Sequence, residues 1–444
     1  MHKRILVIAP RDCLRPFDYT QPLNEVAKAI GYNSGNNIFW FSIQKLLLAE
    51  GVDVRTMSQE QCEDAIDAIN GDFDAAVMCP ANALNYDFRD NLRRMARLFS
   101  SFKIPVFVIG LGAQSSYDYD MTFLNAIGSD VQSFASSVLN TGGSIACRGH
   151  FTGDVLARCG FTPGRDYEVL GCPSLYMYGV ETKVQTHPLS SREINPAFNG
   201  PEMFSRGNLR RLLSQFPRSV FVSQDRAYSF LYSPAGPDAE TLSLMSAASV
   251  ADFRELIAAD RLKLYCDFIP WRNMLRESGA NFVAGTRIHG CIAAILSGIP
   301  AYIWAKDSRV REMAEFFDIP SSRLPSRLAL APNLHSLYEK ADYTNFNSAL
   351  PGRFADFKRY MNRNGLPWGE DFKYIEARLA PDRYSMPAGI GSDIRIQNAE
   401  RACQMAASMR RHSGDGLRKF AVKCVSVFIL NRQKRKEFRA RHSR

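Results

Sequence analysis

Short apolar runs alternate with amphipathic segments along most of this chain. Residues 4–9 read Arg-Ile-Leu-Val-Ile-Ala, a continuous run of the kind buried on both faces of a parallel sheet. From Ile38 to Glu50, apolar Phe39, Ile43, Leu46 and Leu47 recur at helical spacing, and Gly51 follows, which predicts a helix. Further strands are predicted at 52–55, 75–79, 106–109, 144–147 and 167–170, with helices at 89–102, 130–140 and 151–159. Repeated strand–helix–strand units of this length build an open, mostly parallel sheet.

The alternation breaks between 180 and 217, where Pro188, Pro196 and Asn199-Gly200-Pro201 punctuate the chain. That stretch reads as a linker or cleft loop. Strands are predicted again at 219–223, 262–266, 281–284 and 301–304, and helices at 251–259, 269–277, 288–296 and 308–317. A last amphipathic helix, 353–363, carries Phe354, Phe357 and Met361 and stops at Gly365. At 444 residues, more than one core is expected. The expected fold class is α/β, with two Rossmann-like domains facing each other. Residues 1–179 form the first, 180–217 the linker, 218–345 the second, 346–416 a helical extension and 417–444 a basic amphipathic tail.

Composition is globular, with 46% hydrophobic and 23% charged residues. The net charge of +10 changes the picture once it is located: residues 418–444 hold ten Lys or Arg against Glu437 alone, so the rest of the chain is nearly neutral. Leu417, Phe420, Ala421, Val425, Phe428 and Ile429 recur helically there. Such a tail suits an anionic membrane surface, and equally a solvated helix docked on the body; without an interleaved aromatic platform, nucleic acid is not an expected partner. The apolar run after Met1 is too short for a leader or a span, so a cytoplasmic protein is expected, with peripheral contact at the inner face of the cell membrane open to the tail. Ten scattered cysteines without a Cys-x-x-Cys pair read as buried thiols. No motif points to a metal, and none is expected.

Ligands of open α/β sheets bind beyond the carboxyl ends of strands, so the loops there carry the candidate chemistry. The strongest is Gly285-Thr286-Arg287-Ile288-His289-Gly290, where a strand meets a helix. Thr286 can cap that helix, free N–H groups favour an anion, Arg287 offers a fork of donors, and His289 can move a proton near neutral pH. Gly285 and Gly290 would let a ligand approach the backbone. The same residues would also serve as a plain helix cap and a structural ion pair. One loop further on, Lys306-Asp307-Ser308-Arg309 would lie beside Arg287, or form a solvated first turn with Arg309 and Arg311 facing water. Near the start, Asn33-Ser34-Gly35-Asn36 opens the first long helix; Gly110-Leu111-Gly112 and Arg148 end strands of the first half.

In order and spacing, these loops resemble the polysaccharide pyruvyltransferase family over roughly residues 25–320. The most specific element is Gly285-Thr-Arg287-Ile-His289 with its downstream strand and basic loop; Asn33-Ser-Gly35-Asn36, Gly110-Leu-Gly112 and Cys147-Arg148 support it. The resemblance implies the two-domain GT-B fold, phosphoenolpyruvate as co-substrate with no other cofactor, and a sugar or lipid-linked oligosaccharide acceptor. It implies His289 as the catalytic residue, a donor site of Arg287, Arg309, Lys306, Arg148 and Gly285, and an acceptor side of Asn33, Gly35, Asn36 and Gly112. The family usually carries an acid where Asn36 stands, and an amide cannot act as a base. Two other functions stay open on sequence grounds: a glycosyltransferase of the same fold, and a non-catalytic glycan-binding member. Against the former, 288–296 holds no acid of the kind that grips a donor ribose. Oligomeric state is left unassigned.

Overall fold

A computed structural model describes residues 2–18, 21, 23–200, 208–224, 256, 259–325 and 333–369. The predicted helix at 251–259, except for residues 256 and 259, the end of the extension and the basic tail lie outside them. Two parallel six-stranded sheets organise the chain. The first contains β1 (Lys3–Ile8), β2 (Val52–Met57), β3 (Ala75–Met78), β4 (Val106–Leu111), β5 (Ser144–Cys147) and β6 (Tyr167–Val169), in the order β2-β1-β3-β4-β5-β6. The second contains β7 (Pro196–Asn199), β8 (Val220–Ser223), β9 (Leu262–Leu264), β10 (Phe282–Gly285), β11 (Ala301–Ala305) and β12 (Ser321–Arg323), in the order β12-β11-β10-β7-β8-β9. The apolar runs became strands because both faces of each sheet are covered; β4, for one, is buried at every position.

The order of strands reverses once in each sheet, between β1 and β3 in the first and between β7 and β10 in the second. Crevices open at such reversals, beyond the carboxyl ends of the strands.

Two segments differ from the sequence reading. Residues 180–217, expected as a linker, supply β7, which pairs with β10 on one side and β8 on the other, and the helix Asn208–Gln215. Its Pro and Asn residues hid a buried strand that Ala197 and Phe198 make apolar. The last helix spans Thr344–Arg363 and runs through Pro351 rather than starting at 353. It also ties the halves together: Asn347 bonds Val184, while the Tyr360 hydroxyl accepts a bond from Ser144 at the start of β5.

Helix Asn36–Leu46 wedges between the sheets. Every residue from Asn37 to Leu46 is buried, polar ones included, and Phe41 meets the ring of Phe268 across the seam at 5.8 Å. An apolar core therefore runs from β1 and β3 through this helix into the second sheet, and a separate cluster fills the other face of the first sheet. None of the eight described cysteines is in a disulfide, and all are buried. Among the described residues no helix is long and apolar enough to cross a membrane.

Candidate functional site

The reversal of the second sheet and the ends of β3 and β5 face each other across a cavity of about 60 Å³. Its walls bring together Arg148, Arg287, His289, Lys306 and Arg309, with Asn33 and Asn36 from the opposite side. Strand pairing explains the meeting: Gly285 stands level with Asn199 of β7 and Ile303 of β11, so the loops after these strands emerge side by side. The predicted donor loops thus share one site, to which the first half adds Arg148.

Local packing reassigns the glycines. A Cβ on Gly285 would come within 2.2 Å of the Asn199 Oδ1, and one on Gly290 within 2.4 Å of the Gln224 Nε2. Both glycines make room for neighbouring amides rather than for a ligand. Asn199 accepts from the Arg287 N–H through Oδ1 at 3.0 Å, and so sets the turn into the helix Ile288–Ile295. Arg287 is the N-cap of that helix and no side chain caps it, so the expected Thr286 cap is absent; Thr286 packs instead against Gly200. Gly112 lies under Arg148, whose Cδ would be 2.7 Å from an added Cβ. Asn33 accepts from the Gly35 N–H, and Asn36 donates to the carbonyls of Ile30 and Gly31.

The basic loop is not a solvated turn. Asp307 caps the helix Ser308–Phe317 through the Val310 N–H and holds Arg309 at 2.6 Å. Burial opposes its charge, but Arg309 and Lys306 keep the Asp307 carboxyl below its ordinary range. Ser308 is buried and donates to the Ala113 carbonyl of the first half, and Arg311 donates to that of Tyr117. A buried carboxylate completes this junction: Glu312 accepts from the Thr152 N–H at 2.9 Å and from its hydroxyl at 2.8 Å. Sequence reading missed Glu312 because a lone acid on a helix gives no sign that it will be buried.

Electrostatics at the site are unusual. Burial, with Arg148 and Arg309 alongside, pushes the His289 imidazole down to about 3, so the resting site holds it neutral. Its Nε2 lies 3.8 Å from the Cys172 Sγ, and its ring 5.2 Å from that of Phe39. Burial also lowers the Arg148 guanidinium and pushes the Glu312 carboxyl up to about 7, although Arg148 pulls the latter back. Between an unfolded value near 4.5 and a folded value near 7, the unfolded chain holds fewer protons. Stability from this group is therefore full below the lower value and falls as pH rises to the upper one, by about 3 kcal/mol. Glu312→Gln should flatten the fall in urea-unfolding free energy between these limits; an unchanged slope would remove Glu312 as its source.

Beyond Asn36, Ala81 and Asn82, which line both spaces, a groove of about 1000 Å³ opens at the reversal of the first sheet. Phe17, Tyr32, Trp40 and Phe88 present rings to it, and Asp12, Asp18, Glu25 and Glu60 present carboxylates.

The fold and the cleft define a two-sheet α/β protein of the GT-B type with a basic pocket between its halves. The chain belongs to the polysaccharide pyruvyl transferase family, whose sequence pattern matches residues 27–305. No curated protein matches it. Among solved structures it is similar to a Staphylococcus aureus MnaA–UDP complex, with 9% identity, TM-score 0.42 and coverage of 81% of this chain and 97% of that one. It is also similar to Methanocaldococcus jannaschii UDP-GlcNAc 2-epimerase in complex with UDP-GlcNAc and UDP, with 9% identity, TM-score 0.38 and coverage of 82% and 100%.

Proposed function

We propose that the protein transfers pyruvate from phosphoenolpyruvate to two hydroxyls of a sugar, in a cell-surface polysaccharide or its lipid-linked precursor, and forms a cyclic ketal. The observation that carries this reading is the convergence of Arg148, Arg287, Lys306 and Arg309 on one small cavity that also holds His289. Such a surround suits a compact ligand bearing both phosphate and carboxylate. The adjoining groove suits a glycan, with rings for sugar faces and carboxylates for hydroxyls.

In this scheme a sugar hydroxyl attacks C2 of the donor while a proton is added to C3. A second hydroxyl then displaces phosphate from C2, and its proton leaves with the phosphate or solvent. His289 supplies the proton to C3. Burial, with two guanidiniums alongside, holds it neutral, and a bound anion offsets the guanidiniums. Donor binding thus draws the proton onto the imidazole where it is needed. Charge accumulating on the leaving phosphate is stabilised by the preset arginines. Asn36 cannot take the hydroxyl proton, and the groove carboxylates are the bases at hand.

Incubation of the full chain with phosphoenolpyruvate and a panel of glycosides should release inorganic phosphate with at least one acceptor. Release no faster than without acceptor across a panel of surface-polysaccharide sugars, free and lipid-linked, would overturn the proposal.

A further inference from the structure

Gln224 follows β8 and lines the small cavity, yet it is 1% exposed and neither atom of its amide has a hydrogen-bond partner among the described residues. A buried amide left that way is costly, so one facing a cavity marks a place where a ligand completes the bonding. The residue is not loosely placed. Its carbonyl accepts from the Ser34 N–H at 2.9 Å, which ties it to the first half. Its side chain lies between two glycines: a Cβ on Gly35 would be 2.4 Å from Oε1, and one on Gly290 2.4 Å from Nε2. The amide therefore spans the gap between the start of the Asn36–Leu46 helix and the start of the Ile288–Ile295 helix. The Gly35 Cβ position also meets the His289 Cβ at 3.1 Å, so this gap is where the two candidate subsites touch.

The amide's chemistry narrows the ligand. It gives hydrogen bonds at one end and accepts them at the other. The ionised carboxylate and phosphate of phosphoenolpyruvate can only accept near neutral pH, so they leave the accepting oxygen without a partner. A sugar hydroxyl can donate to it. Resting on the pyruvyl-transfer reading above, we infer that Gln224 seats the attacking hydroxyl of the acceptor, with Oε1 accepting its hydrogen and Nε2 donating to the donor's carboxylate. It is a specificity-determining contact that aligns the two substrates.

Gln224→Met keeps the length and removes both polar ends. With the acceptor identified by phosphate release, this variant should raise the acceptor KM and the phosphoenolpyruvate KM about tenfold each. Its melting temperature should match or exceed that of the wild type, because two unsatisfied buried groups are gone. Gln224→Glu retains accepting oxygens but loses the N–H and adds a charge; it should raise the phosphoenolpyruvate KM about tenfold and the acceptor KM far less. An unchanged acceptor KM in the methionine variant, or a rise confined to phosphoenolpyruvate, would overturn the inference. A methionine variant of lowered melting temperature whose two KM values rise together would give Gln224 a structural role instead. Should it fail to fold, the glutamate variant decides: equal rises in both KM values, or none, would overturn the assignment. A wild type that turns over no acceptor defeats the pyruvyl-transfer reading itself, whereas an active wild type with a normal methionine variant defeats only the role of Gln224.

Discussion

Alanine at position 289 should cut kcat by about a hundred- to ten-thousand-fold, the range a single positioned general acid contributes. Phosphoenolpyruvate affinity should change little, because Arg148, Arg287, Lys306 and Arg309 remain around the cavity. The imidazole is buried, packed on Phe39 and held neutral by that burial with Arg148 and Arg309 alongside. In the proposed mechanism it becomes an acid only with an anion beside it, so its protonation would belong to the donor complex. The dependence of kcat on pH should then show a limb that falls as pH rises through the value of the complexed imidazole. That limb should vanish in His289→Gln, which fills the space without supplying a proton. Near-normal ketal formation by His289→Ala, measured as phosphate release at saturating donor, would remove His289 from the chemistry.

The largest loss of stability is expected from Asp267→Ala. Asp267 precedes the helix Phe268–Glu277 of the second half, and Arg11 lies in the loop after β1 of the first. Both Arg11 Nη atoms reach the Asp267 Oδ1, at 3.0 and 2.9 Å, and the Oδ2 accepts from the Phe17 N–H at 2.8 Å. With side chains 10% and 4% exposed, neither charge has water to fall back on. Removing one partner of such a buried pair costs about 3–5 kcal/mol, because the other charge stays buried and uncompensated. Urea unfolding should register that loss, and Arg11→Met combined with Asp267→Leu should recover part of it. Phe17 also lines the large groove, so the acceptor KM should rise in Asp267→Ala as well. If Asp267→Ala unfolded at the wild-type urea concentration, the pair would hold nothing together.

The strands were legible wherever an apolar run of four or more residues had room on both sides, as at 4–9, 106–109 and 301–304. β7 was not, because Pro196 and Asn199 bracket only Ala197 and Phe198, and a strand that short is defined by its neighbours β8 and β10 rather than by its own pattern. β12, Ser-Ser-Arg, is polar and lies at a sheet edge, so no hydrophobic signal could mark it. The cavity-lining residues Arg148, Arg287, His289, Lys306 and Arg309 were legible because each stands just after a strand, in a loop or the first turn of the next helix, with a residue type that suits an anion. Gly285 was expected to let a ligand approach the backbone and Gly112 to belong to the acceptor side; their vacant Cβ positions are met by Asn199, and by Ala81 and Arg148. A glycine's freedom is visible in sequence; the atom that fills its vacant space is not.

By itself, the chain's alternation of apolar runs and amphipathic segments determined two parallel α/β halves, since buried sheets need helices on both faces, and the Gly-x-Arg-Ile-His turn pointed to the family. What only the tertiary structure decided is which distant residues share a low-dielectric seam. Glu312 comes to rest on Thr152, Gln224 between Gly35 and Gly290, and His289 beside Arg148 and Arg309. Charge and hydrogen bonding depend on what surrounds a group once water is excluded. Those surroundings come from separate parts of the chain, as far apart as Thr152 and Glu312 or Gly35 and Gln224, which no local pattern encodes.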